Sequence, residues 1–334
     1  MIIDTHVHII VPELLWDAAP EETWRPRVLR EGGRQVIEWA GRRITSALHE
    51  FVSVEGILET SRAMGMTHVL LSPWANLLRS DAPADEARRT AEILNESLTQ
   101  IARHHPGQIS VLGSVALADP AQAGRDVAGL MRRPGMRGVE VPASVAGVCL
   151  GDDRFRPFWE AAEDAGALVF VHPTTHGFNL AVLTEYYLWN AVGNPLETTI
   201  TAAQMVMAGV MEAHPRLRVL LAHGGGAILA LRGRLRHAHA IQPAARVRLR
   251  ESPEDSLRRF FYDTVTHDAG LLRALVAYAG ADHVMLGTDY PFDMGLADPI
   301  AFVRSAGLSP AEEARVLGGT AAELLGLTPV GSRV

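Results

Sequence analysis

The chain has 334 residues, of which 48% are hydrophobic and 21% are charged, and its formal net charge at pH 7 is -7. This balance indicates a globular protein with a large core, and the negative charge argues against nucleic-acid or anionic-membrane partners. All 31 basic residues apart from histidine are arginine, which excludes a Schiff-base lysine, a P-loop lysine and a carbamylated-lysine metal bridge. The single cysteine, Cys149, excludes an intrachain disulfide and a cysteine metal cluster.

Eight short apolar runs recur along the chain, with helical stretches between them. Continuous apolar runs are typical of strands that are buried on both faces of a parallel sheet. The predicted strands are Met1 to His8, Thr67 to Ser72, Ile109 to Leu117, Arg137 to Val141, Leu168 to His172, Val219 to His223, Phe260 to Thr264 and Val284 to Asp289. Apolar positions at three- and four-residue spacing predict helices, for example Glu86 to His104, Phe155 to Ala165, Glu197 to Ala213 and Leu271 to Ala279.

This alternation over the length of the chain predicts a (β/α)8 TIM barrel in one domain, residues 1–334, with a doubly wound sheet as the alternative. The segment from Ile10 to about Phe51 does not fit the alternation and predicts a small inserted subdomain after the first strand. A second irregular stretch, Ala240 to Ser252, predicts a mobile or subunit-contacting loop. No apolar run approaches the roughly 20 residues of a membrane span, and the first residues lack a signal-peptide pattern, so we expect a cytoplasmic protein.

Histidine and aspartate residues stand at the ends of several predicted strands. His6 and His8 end the first strand and share a face because they are two residues apart. His172, His223 and Asp289 end three other strands. In a barrel all five lie on the C-terminal rim, where active sites of this fold are built. Imidazoles with a carboxylate suit one Zn²⁺ ion, with Mn²⁺, Fe²⁺ or Co²⁺ possible; a binuclear site would need a bridging carboxylate or carbamate.

Short motifs in the second half of the chain add a family resemblance. They are FVHP (Phe170 to Pro173), NPLETTI (Asn194 to Ile200), AHGGGA (Ala222 to Ala227), GR (Gly233-Arg234), FYD (Phe261 to Asp263), HD (His267-Asp268), LGTDYPF (Leu286 to Phe292) and GGTAAELLGL (Gly318 to Leu327). Together with the histidine pair at the start, they resemble the amidohydrolase superfamily, in particular its branch similar to α-amino-β-carboxymuconate-ε-semialdehyde decarboxylase. The resemblance covers most of the chain except the inserted segment.

The resemblance implies that His6, His8, His172 and Asp289 bind one zinc ion and that His223 stands beside it without being a permanent ligand. It implies a nonoxidative decarboxylase of an aromatic or muconate-type carboxylic acid, with a zinc-bound water and His223 as acid and base, Asp289 as a second catalytic residue and no organic cofactor. A metal-dependent hydrolase or hydratase of a C–C, lactone or amide bond is the alternative. A catalytically silent metal-binding or sensor protein is a third possibility.

Arginines and aromatic residues are the candidates for substrate binding. Arg234 matches a family arginine that binds a substrate carboxylate across a dimer interface, so the resemblance implies a homodimer; the alternative is a solvated helix arginine. The family's second arginine falls on Gln242, and Arg43 is interpreted as the counterpart of a third. Trp74 and Phe292, at strand ends, are predicted to line the pocket. Further candidates are Tyr186, Tyr187, Trp189, His176 and His267.

Overall fold

The computed structural model describes residues 1–15, 22, 24–31, 34–39, 42–44, 51–78, 82–175 and 177–327. Of residues 30, 31, 34, 35 and 42–44 only the backbone is described. The strands, in chain order, are β1 (Ile3–Ile9), β2 (Arg27–Glu31), β3 (Arg34–Trp39), β4 (Arg42–Ile44), β5 (His68–Pro73), β6 (Ile109–Ser114), β7 (Met136–Pro142), β8 (Ser144–Val145), β9 (Val148–Cys149), β10 (Leu168–His172), β11 (Arg218–Leu221), β12 (Phe261–Asp263) and β13 (Val284–Met285).

Eight of these strands form one parallel sheet, in the order β1, β5, β6, β7, β10, β11, β12 and β13. Beyond β13 the chain returns to β1, where the amide of Thr5 donates to the carbonyl of Leu286 and the amide of His8 donates to that of Tyr290, both at 2.9 Å. These bonds bring the two edges of the sheet together. The predicted TIM barrel is therefore confirmed, and the doubly wound sheet is excluded.

Helices connect successive strands. They are α1 (Pro12–Leu15), α2 (Val54–Ala63), α3 (Ala84–His104), α4 (Pro120–Leu130), α5 (Arg156–Asp164), α6 (Asn194–Met207), α7 (Val210–Ala213), α8 (Ile228–Ile241), α9 (Pro253–Arg258), α10 (Ala269–Ala279), α11 (Pro299–Ser305), α12 (Pro310–Ala314) and α13 (Thr320–Leu324). The single helix predicted from Glu197 to Ala213 is wrong. Gly209 has a φ of 75° and separates α6 from α7, because a left-handed residue ends the helical hydrogen-bond ladder.

The predicted insertion after β1 contains a three-stranded antiparallel sheet, β2-β3-β4. Ile37 and Trp39 of β3 and the nearby Phe51 are buried in the same core as the barrel helices. The backbone of Ile10 also donates to the carbonyl of Phe51 at 2.7 Å, which ties the end of the insertion to the end of β1. The insertion therefore packs on the barrel beside the C-terminal ends of its strands.

Two apolar layers stabilise the barrel. The inner layer includes Ile3, Leu112, Phe170 and Leu220, and Leu325, directly after α13, joins it from one end of the barrel. The outer layer fills the space between the strands and the helices. Each such side chain contributes about 1.5–3 kcal/mol through burial.

The packed interior confines the polar side chains to the opposite, C-terminal end. Within the described part of the chain, no helix is both long enough and apolar enough to cross a membrane. The stretch predicted as a loop from Ala240 to Ser252 starts in the last turn of α8 and includes the buried Leu249. Its mobility and its role in a subunit contact stay predictions.

Candidate metal centre and active site

The side chains of His6, His8, His172 and Asp289 meet at the C-terminal end of the barrel. The Nε2 atoms of His6 and His8 lie 2.9 Å apart. Asp289 Oδ1 lies 3.1 Å from Nε2 of His6 and 3.4 Å from Nε2 of His8. The ring of His172, at the end of β10, has its centroid 5.2 Å from that of His6 and 4.9 Å from that of His8. The structure thus brings the four predicted ligands together.

In each of the three histidines the other ring nitrogen, Nδ1, lies within hydrogen-bond distance of an oxygen. The partners of Nδ1 are Asp263 Oδ2 at 2.6 Å for His6, the Pro73 carbonyl at 2.9 Å for His8 and the Pro173 carbonyl at 2.9 Å for His172. Because a neutral imidazole carries one N–H, these contacts place the proton on Nδ1 and leave a lone pair on Nε2. Histidines that bind metal ions commonly make this second contact to an oxygen. Three lone pairs and a carboxylate oxygen therefore face one small volume.

The protonation states in this cluster fit a divalent cation. Burial holds the pKa of His172 well below its usual value, assisted by the neighbouring imidazoles, and its buried Nε2 has no hydrogen-bond partner among the described residues. Burial disfavours the charged form of Asp289, but His6 and His223 outweigh this effect and hold its pKa well below the ordinary range. Neutral imidazoles and an ionised carboxylate are the forms that bind metal ions.

His6 gives a second sign that a positive charge belongs at this place. Burial lowers the pKa of His6, but the carboxylates of Asp289 and Asp263 outweigh burial and raise it to about 10. Two buried carboxylates around one imidazole need a compensating cation, since an unpaired buried charge is strongly unfavourable. A metal ion bound here would supply that charge and would leave His6 free to act as a ligand.

His223 follows β11 and stands between this cluster and a cavity. Its Nε2 lies 3.5 Å from Asp289 Oδ2, and its side chain is 12% exposed. One ligand atom each of His6, His172, His223 and Asp289 lies within 4.8 Å of the others. His223 and Asp289 have φ values of 56° and 62°, a left-handed conformation that costs about 1–3 kcal/mol and concentrates at functional sites. This placement suits a residue that exchanges protons beside a metal ion.

A cavity of about 490 Å³ opens beside His223 and Asp289. This volume is typical of a pocket for a small molecule. Its other polar lining residues are Asn190, Asn194, Thr266 and His267, and its apolar walls include Leu229, Val265, Leu271 and Met294. No arginine is among the described residues that line it. The described residues of a single chain therefore offer no guanidinium to the part of a ligand that lies away from the metal cluster.

The two predicted aromatic residues lie behind the metal cluster. Phe292 packs its ring 5.3 Å from that of His8, centroid to centroid. Trp74 is 4% exposed and packs against Phe51 at 5.1 Å, and Phe51 in turn packs against Phe292 at 5.2 Å. Neither Trp74 nor Phe292 is among the residues that line the cavity. Their role in substrate binding stays a prediction, with Phe292 closer to the candidate ligands.

Arg234 lies on α8, one helical turn beyond Ala230 of the cavity wall, and is exposed. Its neighbour Arg236 donates to Glu254 at 2.8 Å, whereas Arg234 has no hydrogen bond or ion pair with any residue in the described ranges. This arrangement leaves its guanidinium available to another molecule. The side chain of Arg43 lies outside what the structure describes.

Among the remaining candidates that the structure describes, His267 lines the cavity and has a φ of 54°. The hydroxyl of Tyr187 donates to Asp293 Oδ1 at 2.8 Å, and its ring packs against that of Trp189 at 4.8 Å. Tyr186 is exposed. His176 lies outside the described residues.

Two buried carboxylates near the metal cluster were not predicted from the sequence. Asp263 contacts His6, and its position at the end of a predicted strand, in the FYD motif, was a signal that could have found it. Glu140 of β7 is fully buried, with Oε2 3.8 Å from His8 Nδ1. Burial raises the pKa of Glu140 to about 7, although His8 opposes the shift. Glu140 is a lone acidic residue inside an apolar strand, which no sequence pattern distinguishes.

Comparison with known proteins connects this geometry to a family. The family model of the amidohydrolases matches residues 3–327. The chain belongs to the amidohydrolase family. A 2-amino-3-carboxymuconate-6-semialdehyde decarboxylase of Dictyostelium discoideum is 31% identical to this amidohydrolase over 250 residues, which cover 74% of this chain and 69% of that protein. A 6-methylsalicylic acid decarboxylase of Penicillium expansum is 26% identical over 237 residues, which cover 70% and 73% of the two chains.

A solved structure of similar fold contains a metal ion. The 5-carboxyvanillate decarboxylase of Novosphingobium aromaticivorans, complexed with manganese and 4-hydroxy-3-methoxy-5-nitrobenzoic acid, superposes on this amidohydrolase with a TM-score of 0.81. Its sequence identity is 18%, and the match covers 98% of this chain and 96% of that one. At this identity the likeness shows the barrel fold. The relatives are carboxy-lyases, the enzyme class that the motifs predict for this chain, and the expected superfamily is confirmed.

Proposed function

We propose that this amidohydrolase is a metal-dependent, nonoxidative decarboxylase of an aromatic or muconate-type carboxylic acid. The observation that carries the proposal is the convergence of three Nε2 lone pairs and Asp289 at the edge of a largely apolar cavity, with His223 between them. The relatives support it because their names identify them as decarboxylases of such acids.

The metal ligands of the proposal are His6, His8, His172 and Asp289. A divalent ion held there supplies Lewis acidity that polarises an oxygen of the substrate. Zn²⁺ suits a set dominated by imidazole. Mn²⁺ is the second candidate, because the carboxyvanillate decarboxylase structure contains manganese.

His223 is the proposed acid and base. In this reaction a proton adds to the carbon that bears the carboxylate, the bond from that carbon to the carboxylate breaks, and its electron pair restores the π system as CO₂ leaves. His223 can hold the proton on Nε2, where Asp289 Oδ2 at 3.5 Å stabilises the charged imidazole, and can deliver it into the cavity. Asp289 is catalytic in this proposal because its second oxygen serves His223 while its first faces the metal ligands.

The proposed substrate enters the cavity with its leaving carboxylate towards His223. The apolar walls favour a ring or a conjugated chain, and water is excluded from the carbon that takes the proton. Since the described cavity lining contains no arginine, Arg234 of a second copy is the proposed partner for any further carboxylate, and the proposed assembly is a homodimer. The substrate accordingly carries few carboxylates.

The test is turnover of a panel of aromatic and muconate-type acids by protein loaded with Zn²⁺ and, separately, with Mn²⁺. Release of CO₂ with a product that is lighter by CO₂ supports the proposal. A product that is heavier by one water supports the hydrolase or hydratase alternative instead. Tight metal binding without turnover in either form points to a metal-binding or sensor protein.

His223→Ala is expected to keep its metal and to lose about 10²–10⁴-fold in kcat. Unchanged turnover in this variant would rule out the role of His223 as acid and base.

A further inference from the structure

One buried carboxylate, that of Asp263 at the end of β12, accepts four hydrogen bonds. The donors are His6 Nδ1 at 2.6 Å and the amide of His223 at 2.9 Å to Oδ2, and the amides of Gly224 at 2.7 Å and Val265 at 3.0 Å to Oδ1. Three of the four donors are backbone amides, which can only donate, and they contact both oxygens of the side chain. The geometry therefore makes Asp263 a hydrogen-bond acceptor through both oxygens inside the barrel.

The first of these bonds concerns the metal centre. His6 can bind a cation through Nε2 only while its proton is on Nδ1. The carboxylate of Asp263 fixes that proton, since it can accept a hydrogen bond but, when ionised, cannot donate one. The same bond sets the rotation of the imidazole, so that Nε2 of His6 faces His8 and Asp289.

The second and third bonds concern the turn that carries His223. The φ values of His223 and Gly224 are 56° and 60°, so two successive residues are left-handed. Their adjacent amides both point at the Asp263 carboxylate, as in the backbone nests that bind anions. This anchor offsets the strain of a left-handed histidine and fixes the direction in which its ring leaves the backbone.

We propose that Asp263 is a positioning residue that couples the two halves of the site, the metal ligand His6 and the acid/base residue His223. One carboxylate holds both, so the distance between the metal centre and the proton donor depends on it. The part that concerns His223 rests on the proposed function. The part that concerns metal binding does not, so the two can fail separately.

The main variant is Asp263→Asn, which keeps the shape of the side chain but has one acceptor oxygen and no charge. Metal affinity is expected to fall by about 10- to 100-fold, measured by competition with a chromophoric chelator. With saturating metal, kcat is expected to remain at least about tenfold below wild type, because His223 is displaced. Asp298→Asn is the matched control: Asp298 also accepts a backbone amide, that of Ala301 at 3.1 Å, but lies on the exposed start of α11. It is expected to change neither quantity.

A second variant separates the two halves. A Cβ on Gly224 would lie 2.5 Å from Thr266 Cγ2, and the left-handed φ disfavours a side chain there. Gly224→Ala is therefore expected to lower kcat while metal affinity changes less than about threefold. If Gly224→Ala weakens metal binding as much as Asp263→Asn does, the division into two halves is wrong.

Two measurements decide the proposal without turnover. Nitrogen-15 NMR of histidine-labelled, zinc-loaded wild-type protein should show His6 with its proton on Nδ1; a proton on Nε2 overturns the first half even if Asp263→Asn does not fold. Hydrogen exchange of the amides of His223 and Gly224 should be slow in wild type and faster in Asp263→Asn. Fast exchange in wild type, or no change in the variant, overturns the second half. If wild-type protein decarboxylates none of the acids tested but both of these measurements give the expected result, the proposed function is refuted and the coupling through Asp263 still stands.

Discussion

In His6, His8 and His172 the Nδ1 atom contacts an oxygen, which leaves Nε2 of each residue free to bind a metal ion. Their positions at strand ends could be predicted from sequence, because period-two alternation and the ends of apolar runs are visible there. The identity of the oxygen partners could not be predicted, since two of the three are backbone carbonyls and the third, Asp263, lies more than 250 residues away along the chain. Only the three-dimensional contact assigns the proton.

Gly287, which follows β13, lies very close to the side chains of His6 and Asp263. A Cβ on Gly287 would lie 2.8 Å from the Cβ of His6 and 3.1 Å from that of Asp263. Gly287→Ala is expected to destabilise the fold by about 1–3 kcal/mol and to weaken metal binding, because both side chains must move. Urea unfolding and metal titration measure the two effects.

Gly129→Ala in α4 is the matched control for that substitution. A Cβ at Gly129 would have only the end of Arg132 near it, at 3.9 Å. The replacement is expected to leave metal affinity unchanged and to stabilise the helix by up to about 1 kcal/mol. Equal effects of the two substitutions would contradict the steric explanation.

At the scale of elements, strands were easier to predict than their ends. Buried parallel strands are continuous apolar runs, which is why all eight were found. The run from Val284 to Asp289 was predicted as one strand, but regular strand geometry stops at Met285. The segment that follows Met285 still makes hydrogen bonds with β1 as far as Tyr290, although φ is positive at Asp289. An apolar sequence pattern indicates which residues are buried, and residues 286–289 are buried although regular strand geometry ends at Met285. The pattern therefore predicts a strand that is too long.

Glu197 of α6 holds the segment that follows β10. Its carboxylate accepts from the amides of Thr174 at 3.2 Å and Thr175 at 2.9 Å and from the Thr175 hydroxyl at 2.7 Å. Glu197→Gln is expected to lower the free energy of unfolding by about 1–3 kcal/mol, because buried amides lose acceptors. It should also raise KM, since this segment borders the site. Glu160→Gln, on the exposed face of α5, is the control and should lie within about 0.5 kcal/mol of wild type.

His68, the first residue of β5, makes stability depend on pH. Burial lowers its pKa below 6.5, while Nδ1 faces the Gly107 carbonyl at 3.1 Å and Nε2 the Ser110 hydroxyl at 3.0 Å. The unfolded chain takes up a proton near pH 6.5, whereas the folded chain takes it up only at a lower pH. The contribution of His68 is therefore full above that pH and is lost as the pH falls below it.

Urea unfolding above and below pH 6.5 checks this sign. The loss of stability on acidification should be smaller in His68→Gln than in wild type. His104→Gln, at the exposed end of α3, serves as the control for the removal of one histidine. A wild-type slope in His68→Gln would show that His68 does not titrate differently on folding.

At the scale of the whole molecule, the barrel was predictable from the count and spacing of strands, whereas the assembly was not. Association depends on exposed side chains, which have no periodic signature. Arg234 has no hydrogen bond or ion pair with any described residue, and no described residue of the cavity lining is an arginine. Both observations agree with a site that a second copy of the chain completes.

Mixing two inactive variants tests this arrangement. Arg234→Ala and His223→Ala are each expected to have low turnover of a dicarboxylic substrate. If Arg234 acts across the interface, hybrid dimers contain one intact site, and an equal mixture should recover about a quarter of wild-type activity. No recovery, with a dimer confirmed by sedimentation, would place Arg234 in its own subunit's site or outside both sites.

The contact between the two edges of the sheet has a further consequence. His6 and His8 belong to the first strand, while Asp289 follows the last one, and its amide donates to the carbonyl of His6 at 2.9 Å. A metal ion held by all three would therefore connect the first strand to the segment after the last strand, and the ribosome synthesises these two segments at very different times. The ligand set cannot assemble on a ribosome until the region around Asp289 has emerged, so newly made chains would acquire the ion as one of their last folding events. Metal loading would then report that the barrel has closed.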